Sequence, residues 1–288
     1  MSDQTTQPSE IRIPSLNSGG ENLPSFRMLG SSSSGNCGLV STPTTRILVD
    51  AGFSGKRICA LLAEVNLSIS DIHAVFLSHE HQDHCAGFRG LCAYPHLSWI
   101  ANRDTFRAID HPRKDTCKWS FFETGSRFRF RDLTVDAFPI PHDASDPVGF
   151  VFSWGGEDLF SPLDSVAWLL DLGYVTELVK SKVRSARTLV IESNYDSHML
   201  EQDTKRPWSV KQRIKGRHGH LSNQHVVELL MDCKNAGWER IHIAHVSRDC
   251  NDIDHIRAAF SGLRQSLNGC LPPVSVFNPL TGKNESLW

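Results

Sequence analysis

Five short apolar runs in this chain each end on a residue able to bind a metal ion. Val75-Phe76-Leu77-Ser78 runs into His79, and Phe138-Pro139-Ile140-Pro141 into His142. Ala167-Trp168-Leu169-Leu170 runs into Asp171, Leu189-Val190-Ile191 into Glu192, and His242-Ile243-Ala244 into His245. A charged or imidazole side chain is costly in the middle of a buried strand, but a strand end can deliver it to a shared rim. The chain must therefore fold so that these ends converge.

The runs alternate with helical patterns, which indicates an α/β domain. Strands are expected at Arg46–Val49, Ile72–Leu77, Leu97–Ala101, Phe128–Phe130, Leu133–Ile140, Val148–Trp154, Val166–Leu170, Thr188–Ile191 and Arg240–Ala244, with a last one at Val274–Phe277. Between them, Ser54 reads as the N-cap of a helix with Ile58, Leu61, Leu62 and Val65 on one face. A short helix is expected from Asp104, and another carries Val175, Leu178, Val179 and Val183. Ser222 caps a fourth helix, with Gly237 as its stop, and Ile253–Leu267 forms a fifth. Residues 1–24, rich in Ser, Thr, Pro, Gly, Asn and Gln, read as a mobile tail, leaving residues 25–288 as the domain.

The sharpest element is His79-Glu80-His81-Gln82-Asp83-His84 on the turn after a strand. His79 and His81, one residue apart, can chelate one ion, while Asp83 and His84 face a second. Imidazole with carboxylate suits zinc, and also manganese or iron. The eight cysteines form no CxxC pair, so a separate zinc knuckle is not indicated. No apolar h-region opens the chain and no run is long enough to span a bilayer, so the expectation is a cytoplasmic protein with no membrane partner.

HxHxDH after a strand, followed by an isolated His, an isolated Asp and a final His, resembles the metallo-β-lactamase superfamily. The resemblance implies an αββα sandwich with a two-metal site at the sheet edge. It implies that His79, His81 and His142 hold one ion, that Asp83, His84 and His245 hold the other, and that Asp171 bridges them. Gly30-Ser31-Ser32-Ser33-Ser34-Gly35-Asn36-Cys37, Asp50-Ala51-Gly52, Pro141-His142-Asp143-Ala144, Asp171-Leu172-Gly173-Tyr174-Val175, Glu192-Ser193-Asn194 and Gly219-His220-Leu221-Ser222-Asn223 are similar to the YycJ/WalJ group of bacterial nucleases. That group implies 5′→3′ exonuclease activity on DNA. Leu170, Tyr195 and Val246–Asn251 depart from the group's pattern without removing a ligand.

Glu192, then His220, then His245 resembles the order in the tRNA-processing ribonuclease Z branch, where a Glu–His pair protonates a departing oxygen. Lys205, Arg206, Lys211, Arg213, Lys215 and Arg217 add six positive charges with no acid between positions 205 and 217. In a chain of formal net charge −2 this is a local basic strip, suited to phosphate, with Lys211 and Arg213 at its centre. Asp50 and Asp143 are placed to accept hydrogen bonds from ligand histidines. The Ser31–Asn36 segment is placed to touch substrate or to be a simple turn.

Together these features read as a metal-dependent phosphodiesterase acting on nucleic acid, in which two divalent ions activate a water and Asp83, Glu192 and His220 serve catalysis. A hydrolase of a small ester, lactone, thioester or cyclic phosphate on the same site is the alternative. A metal-stabilised regulatory module without activity is the third reading.

Overall fold

Side chains along the strands alternate between two destinations, and that alternation sets the layers. In the computed structural model, which describes residues 25–156, 163–267 and 269–288, fourteen strands form two mixed sheets. The expected tail over residues 1–24 lies outside the described residues. The first sheet runs in chain order: β1 (Phe26–Ser32), β2 (Gly35–Ser41), β3 (Arg46–Val49), β4 (Ala74–Phe76), β5 (Ser98–Ala101) and β6 (Lys118–Phe121). The second holds β7 (Arg127–Phe130), β8 (Leu133–Pro139), β9 (Val148–Trp154), β10 (Asp164–Leu169), β11 (Thr188–Glu192), β12 (Arg240–Ala244), β13 (Val274–Asn278) and β14 (Lys283–Ser286), in reverse order across the sheet. Parallel pairing links β3 to β6 in the first sheet and β10 to β13 in the second.

Ile47, Val49, Ala74, Phe76, Val166, Trp168 and Val190 face the space between the sheets, while Leu48 and Val75 face one outer side and Ala167, Leu169, Leu189 and Ile191 the other. The middle layer is aromatic, with the Phe76 ring 5.2 Å from Phe152, 5.5 Å from Phe130 and 5.9 Å from Phe150. Nine helices lie among the described residues: α1 (Gly55–Ala63), α2 (Gln82–Cys85), α3 (Phe88–Leu91), α4 (Arg103–Ala108), α5 (Glu177–Arg184), α6 (Ser197–Gln202), α7 (Trp208–Lys215), α8 (Asn223–Asp232) and α9 (Ile253–Ser266). Ile58, Leu61 and Leu62 of α1 and Phe88 of α3 cover the first sheet. Val179 and Val183 of α5, Val226 and Leu230 of α8, and Ile256 and Phe260 of α9 cover the second. The result is the αββα sandwich. Ser54 caps α1, its hydroxyl accepting from Arg57 N, and Ser222 caps α8.

Three features differ from the expectation. Helix α8 ends at Asp232, with Cys233 as its C-cap, so Gly237 is not its stop. A further strand, β14, follows the one expected to be last and pairs antiparallel with it. The β1–β2 hairpin was not expected, since its glycines and serines carry no apolar period; Ser31–Asn36 forms the turn between the two strands, one of the two readings of that segment.

The small residues of that hairpin are needed where they stand. A Cβ on Gly38 would lie 2.5 Å from the Trp168 ring, which is buried between the sheets. Gly38→Ala should therefore destabilise the fold by about 1–3 kcal/mol through overpacking. Gly237→Ala, which meets open space, should stay within about 0.5 kcal/mol of the parent. Urea unfolding of the two variants measures both.

Candidate metal centre and its surroundings

The carboxyl ends of β3, β4, β10, β11 and β12 lie at one edge of the sandwich, the usual place for a site in a parallel α/β sheet. Three residues there leave their strands through left-handed backbone: Asp50 at φ 59°, Asp171 at φ 58° and His245 at φ 49°. Such conformations cost free energy for residues other than glycine, and here they turn the side chains off the strand axis into the shared edge.

His79, His81 and His142 form one cluster, and Asp83, His84, Asp171 and His245 another, each with ligand atoms within 4.8 Å of one another. The Asp171 carboxylate joins them. Its Oδ2 is 2.6 Å from His84 Nε2 and 3.3 Å from His79 Nε2, and its Oδ1 is 2.5 Å from His245 Nδ1. Asp83 Oδ2 lies 3.4 Å from His245 Nε2 and 3.5 Å from His84 Nε2. His81 Nδ1 and His142 Nε2 approach to 3.2 Å. Helix α2 explains the spacing of the HEHQDH run: the His81 carbonyl accepts from His84 N and Cys85 N, and this turn carries Asp83 and His84 to the second cluster.

The remaining ring nitrogens are engaged behind the site. His84 Nδ1 donates to Asp50 Oδ2 at 2.7 Å, placing Asp50 where the sequence put it. Asp50 also accepts from Ser78 N, Ser78 Oγ and, at 3.1 Å, Trp168 Nε1. His79 Nδ1 pairs with Ser78 Oγ at 3.0 Å. The acceptor behind His142 is the Gly219 carbonyl, not Asp143: Asp143 lies at the opposite ring nitrogen, 3.4 Å from Nε2, and is ion-paired with Arg213. Ser31 Oγ accepts from His245 N, so the hairpin tip is tied to the site. Ser78, Trp168, Gly219 and Ser31 had no sequence signal as ligand supports, since each acts through a fold contact with a distant partner.

Electrostatics at this edge are dominated by carboxylates out of water. Burial raises Asp83, Asp171 and Glu192, yet the neighbouring imidazoles outweigh it and hold all three below the usual carboxyl range. Burial opposes charge on His84 and His245, but Asp171 and its companion acids lift both well above the usual imidazole value. Burial drives His142 down to about 4. Two buried atoms, His79 Nε2 and Asp171 Oδ1, have close neighbours but no hydrogen bond directed at them. Lone pairs facing one another across ionised acids are what a divalent cation would satisfy, so the residues present fit such an ion.

Glu192 is buried and fixed. Its Oε1 accepts from Leu172 N and Leu221 N, while Oε2 lies 3.1 Å from His220 Nδ1 and 3.2 Å from His245 Nδ1. His220 Nδ1 is also 3.3 Å from Asp171 Oδ1. Burial works against charge on His220, but Glu192 and Asp171 raise it to about 9. His220 ends a segment, residues 196–221, that leaves β11 and returns to α8. Its base is closed by the Tyr195–Ser222 bridge, by Asn194 N on the Leu221 carbonyl and by Asn223 N on the Tyr195 carbonyl.

That segment walls a cavity of about 220 Å³ that His81, Asp83, His142, Asp171, His220 and His245 line together with Arg206, Arg213 and Ile214. The basic strip is on it, in part as helix α7, but acids from other elements neutralise most of it. Lys205 pairs with Asp249, Arg206 with Asp203 and Asp249, Arg213 with Asp143, and Lys215 with Glu201. Lys211 is buried and donates to the Glu201 carbonyl at 2.8 Å, so it is not available to grip phosphate. The sequence showed the cations but not the acids that fold onto them.

Residues 45–243 match the model of the β-lactamase superfamily domain. The chain is 34% identical to exodeoxyribonuclease YycJ of Bacillus anthracis over 238 residues, 82% of this chain and 87% of that protein. It is 32% identical to exodeoxyribonuclease WalJ of Streptococcus pneumoniae, covering 78% of this chain and 82% of that one. In structure it is similar to the metallo-β-lactamase fold protein YhfI of Bacillus subtilis, with a TM-score of 0.64 at 15% identity over 91% of this chain and 98% of the other. No helix among the described residues is long and apolar enough to cross a membrane.

Zinc added at a hundredfold excess over its dissociation constant should stabilise the fold by about 2.7 kcal/mol, read as a raised unfolding midpoint that EDTA reverses. Asp50→Asn removes the charged acceptor behind His84 and should weaken zinc binding by about 10–100-fold in chelator competition.

Proposed function

The chain belongs to the metallo-β-lactamase superfamily, within the family of the YycJ and WalJ exonucleases, and from that membership we propose that it is a metal-dependent nuclease, specifically a 5′→3′ exonuclease on DNA. The observation that carries the nuclease reading is the buried Glu192 carboxylate, held by two backbone N–H groups with His220 against it and Asp171 alongside. Two divalent ions, when bound, supply an activated water and neutralise charge on the phosphate oxygens. His79, His81 and His142 would hold one, Asp83, His84 and His245 the other, and Asp171 both. The nitrogen-and-oxygen donor set favours zinc, with manganese or iron as alternatives.

The chain's own residues act on the leaving side. Glu192 accepts from His220 Nδ1 and fixes the ring, which leaves Nε2 on the cavity side to hand a proton to the departing oxygen. Two backbone hydrogen bonds prevent Glu192 from following the ring, so its role is to orient it. Arg206 and Arg213 line the same cavity. At about 220 Å³ this cavity is smaller than the ~300–1,000 Å³ pockets that enclose a drug-sized ligand, so it suits a reacting phosphate whose chain continues outside.

Incubation of the metal-loaded protein with end-labelled single- and double-stranded DNA and RNA tests the reading; stepwise loss of nucleotides from the 5′ end of DNA is the expected result. Hydrolysis of small esters with all four polynucleotides left intact would replace it with the small-substrate alternative. His220→Ala should slow cleavage of DNA by about 10²–10⁴-fold, and bis-p-nitrophenyl phosphate much less, because nitrophenolate departs without an acid. Equal losses on both substrates would remove His220 from that role. Elemental analysis should find Asp83→Ala and His245→Ala depleted in metal and His220→Ala still loaded.

A further inference from the structure

Among the six cations of the strip, Arg217 alone has no carboxylate or carbonyl partner among the described residues. Its guanidinium lies over the Tyr174 ring, 4.4 Å from the centroid, and both residues are on the surface. A guanidinium held over a ring face by cation–π attraction still has its planar fork of N–H donors to offer a phosphate. The stack also limits the rotamer freedom that an exposed arginine would lose on binding.

Its position is fixed by the backbone as well as by the ring. A Cβ on Gly173 would lie 2.3 Å from the Arg217 carbonyl carbon, so only glycine allows this approach, and Gly173 N donates to the Pro141 carbonyl next to His142. Gly173 is two residues beyond Asp171, and Arg217 is three residues before His220. At 3.8 Å between successive Cα atoms, the Arg217 Cα is within about 11 Å of that of His220, outside the residues that line the site cavity.

We propose that Arg217, held over the Tyr174 ring, grips a backbone phosphate of the bound polynucleotide beyond the cavity and so selects a polynucleotide over an isolated phosphodiester. The inference rests on the nuclease reading above and moves the phosphate contact from Lys211 and Arg213 to the cation that no acid neutralises.

The test is fluorescence anisotropy with a labelled single-stranded oligodeoxynucleotide, titrated at several salt concentrations in a metal-loaded His220→Ala background that preserves the strand. One phosphate contact on a single strand contributes about 0.7 to the slope of log affinity against log salt. Arg217→Ala should flatten the slope by about that amount and weaken binding about tenfold at low salt. Tyr174→Phe, which keeps the ring, should bind as the background does, whereas Tyr174→Ala should lose affinity in part. Lys215→Ala, whose charge Glu201 already neutralises, should leave the slope in place. A merely structural role for Arg217 would change stability but not the salt slope. An unchanged slope in Arg217→Ala, while the background still binds the strand, overturns this inference and leaves the nuclease reading standing. Failure of the parent to bind or cut any polynucleotide overturns both.

Discussion

The buried carboxylate of Asp171 is the contact on which this structure turns. Its two oxygens face four imidazoles from three segments, His79 and His84 of the HEHQDH run, His220 and His245, at 2.5–3.3 Å. An ionised acid so far from water is tolerable only when surrounded by positive charge or by a cation, so those segments must meet there. Strand register does the placing. Glu192 pairs with Ala244, which sets His245 one residue past the sheet, and Leu169 pairs with Ile191, which sets Asp171 just beyond Glu192's level. A one-residue slip in either ladder would send alternate side chains to the wrong face and disperse the site.

The core and the site share a component. Trp168 fills the middle layer and also donates to Asp50, the acceptor that orients His84. The alignment of that ring therefore depends on how closely the β1–β2 hairpin packs, and Gly38 is the point of contact. The orientation of His84 thus depends on packing at Gly38, through Trp168 and Asp50.

Much of this was legible beforehand because it depends on short-range patterns. Strands such as Val148–Trp154 and Arg240–Ala244 announce themselves as apolar runs, and the helix caps Ser54 and Ser222 as local hydrogen-bonding chemistry. The residues of the two clusters stand at strand ends or on the turn after one, which marks them as candidates, and the resemblance to the superfamily implies how they divide between two ions. The β1–β2 hairpin was not legible, since its small residues are chosen by the rings that lie on them rather than by a period of their own. Nor was the fate of the basic strip: Asp143 and Asp249 lie far from it in sequence and reach it only through the fold. The partner of His142 was misplaced for the same reason, because a main-chain carbonyl carries no residue signature.

Residues 196–221 form a loop whose two ends are tied together at Tyr195 and Ser222, while the seven residues of the two clusters lie outside it. Arg206, Arg213 and Arg217 all lie within it, and His220 is at its foot. The Gly219 carbonyl, which accepts from His142 Nδ1, and Leu221 N, which donates to Glu192, tie the return of this loop to the ion-holding frame, so under the proposed function it is the stretch before them that can lengthen, shorten or be exchanged between relatives. In such an arrangement selectivity is heritable through the outer part of one closed loop, while its return, with Gly219 and His220, stays bound to the chemistry.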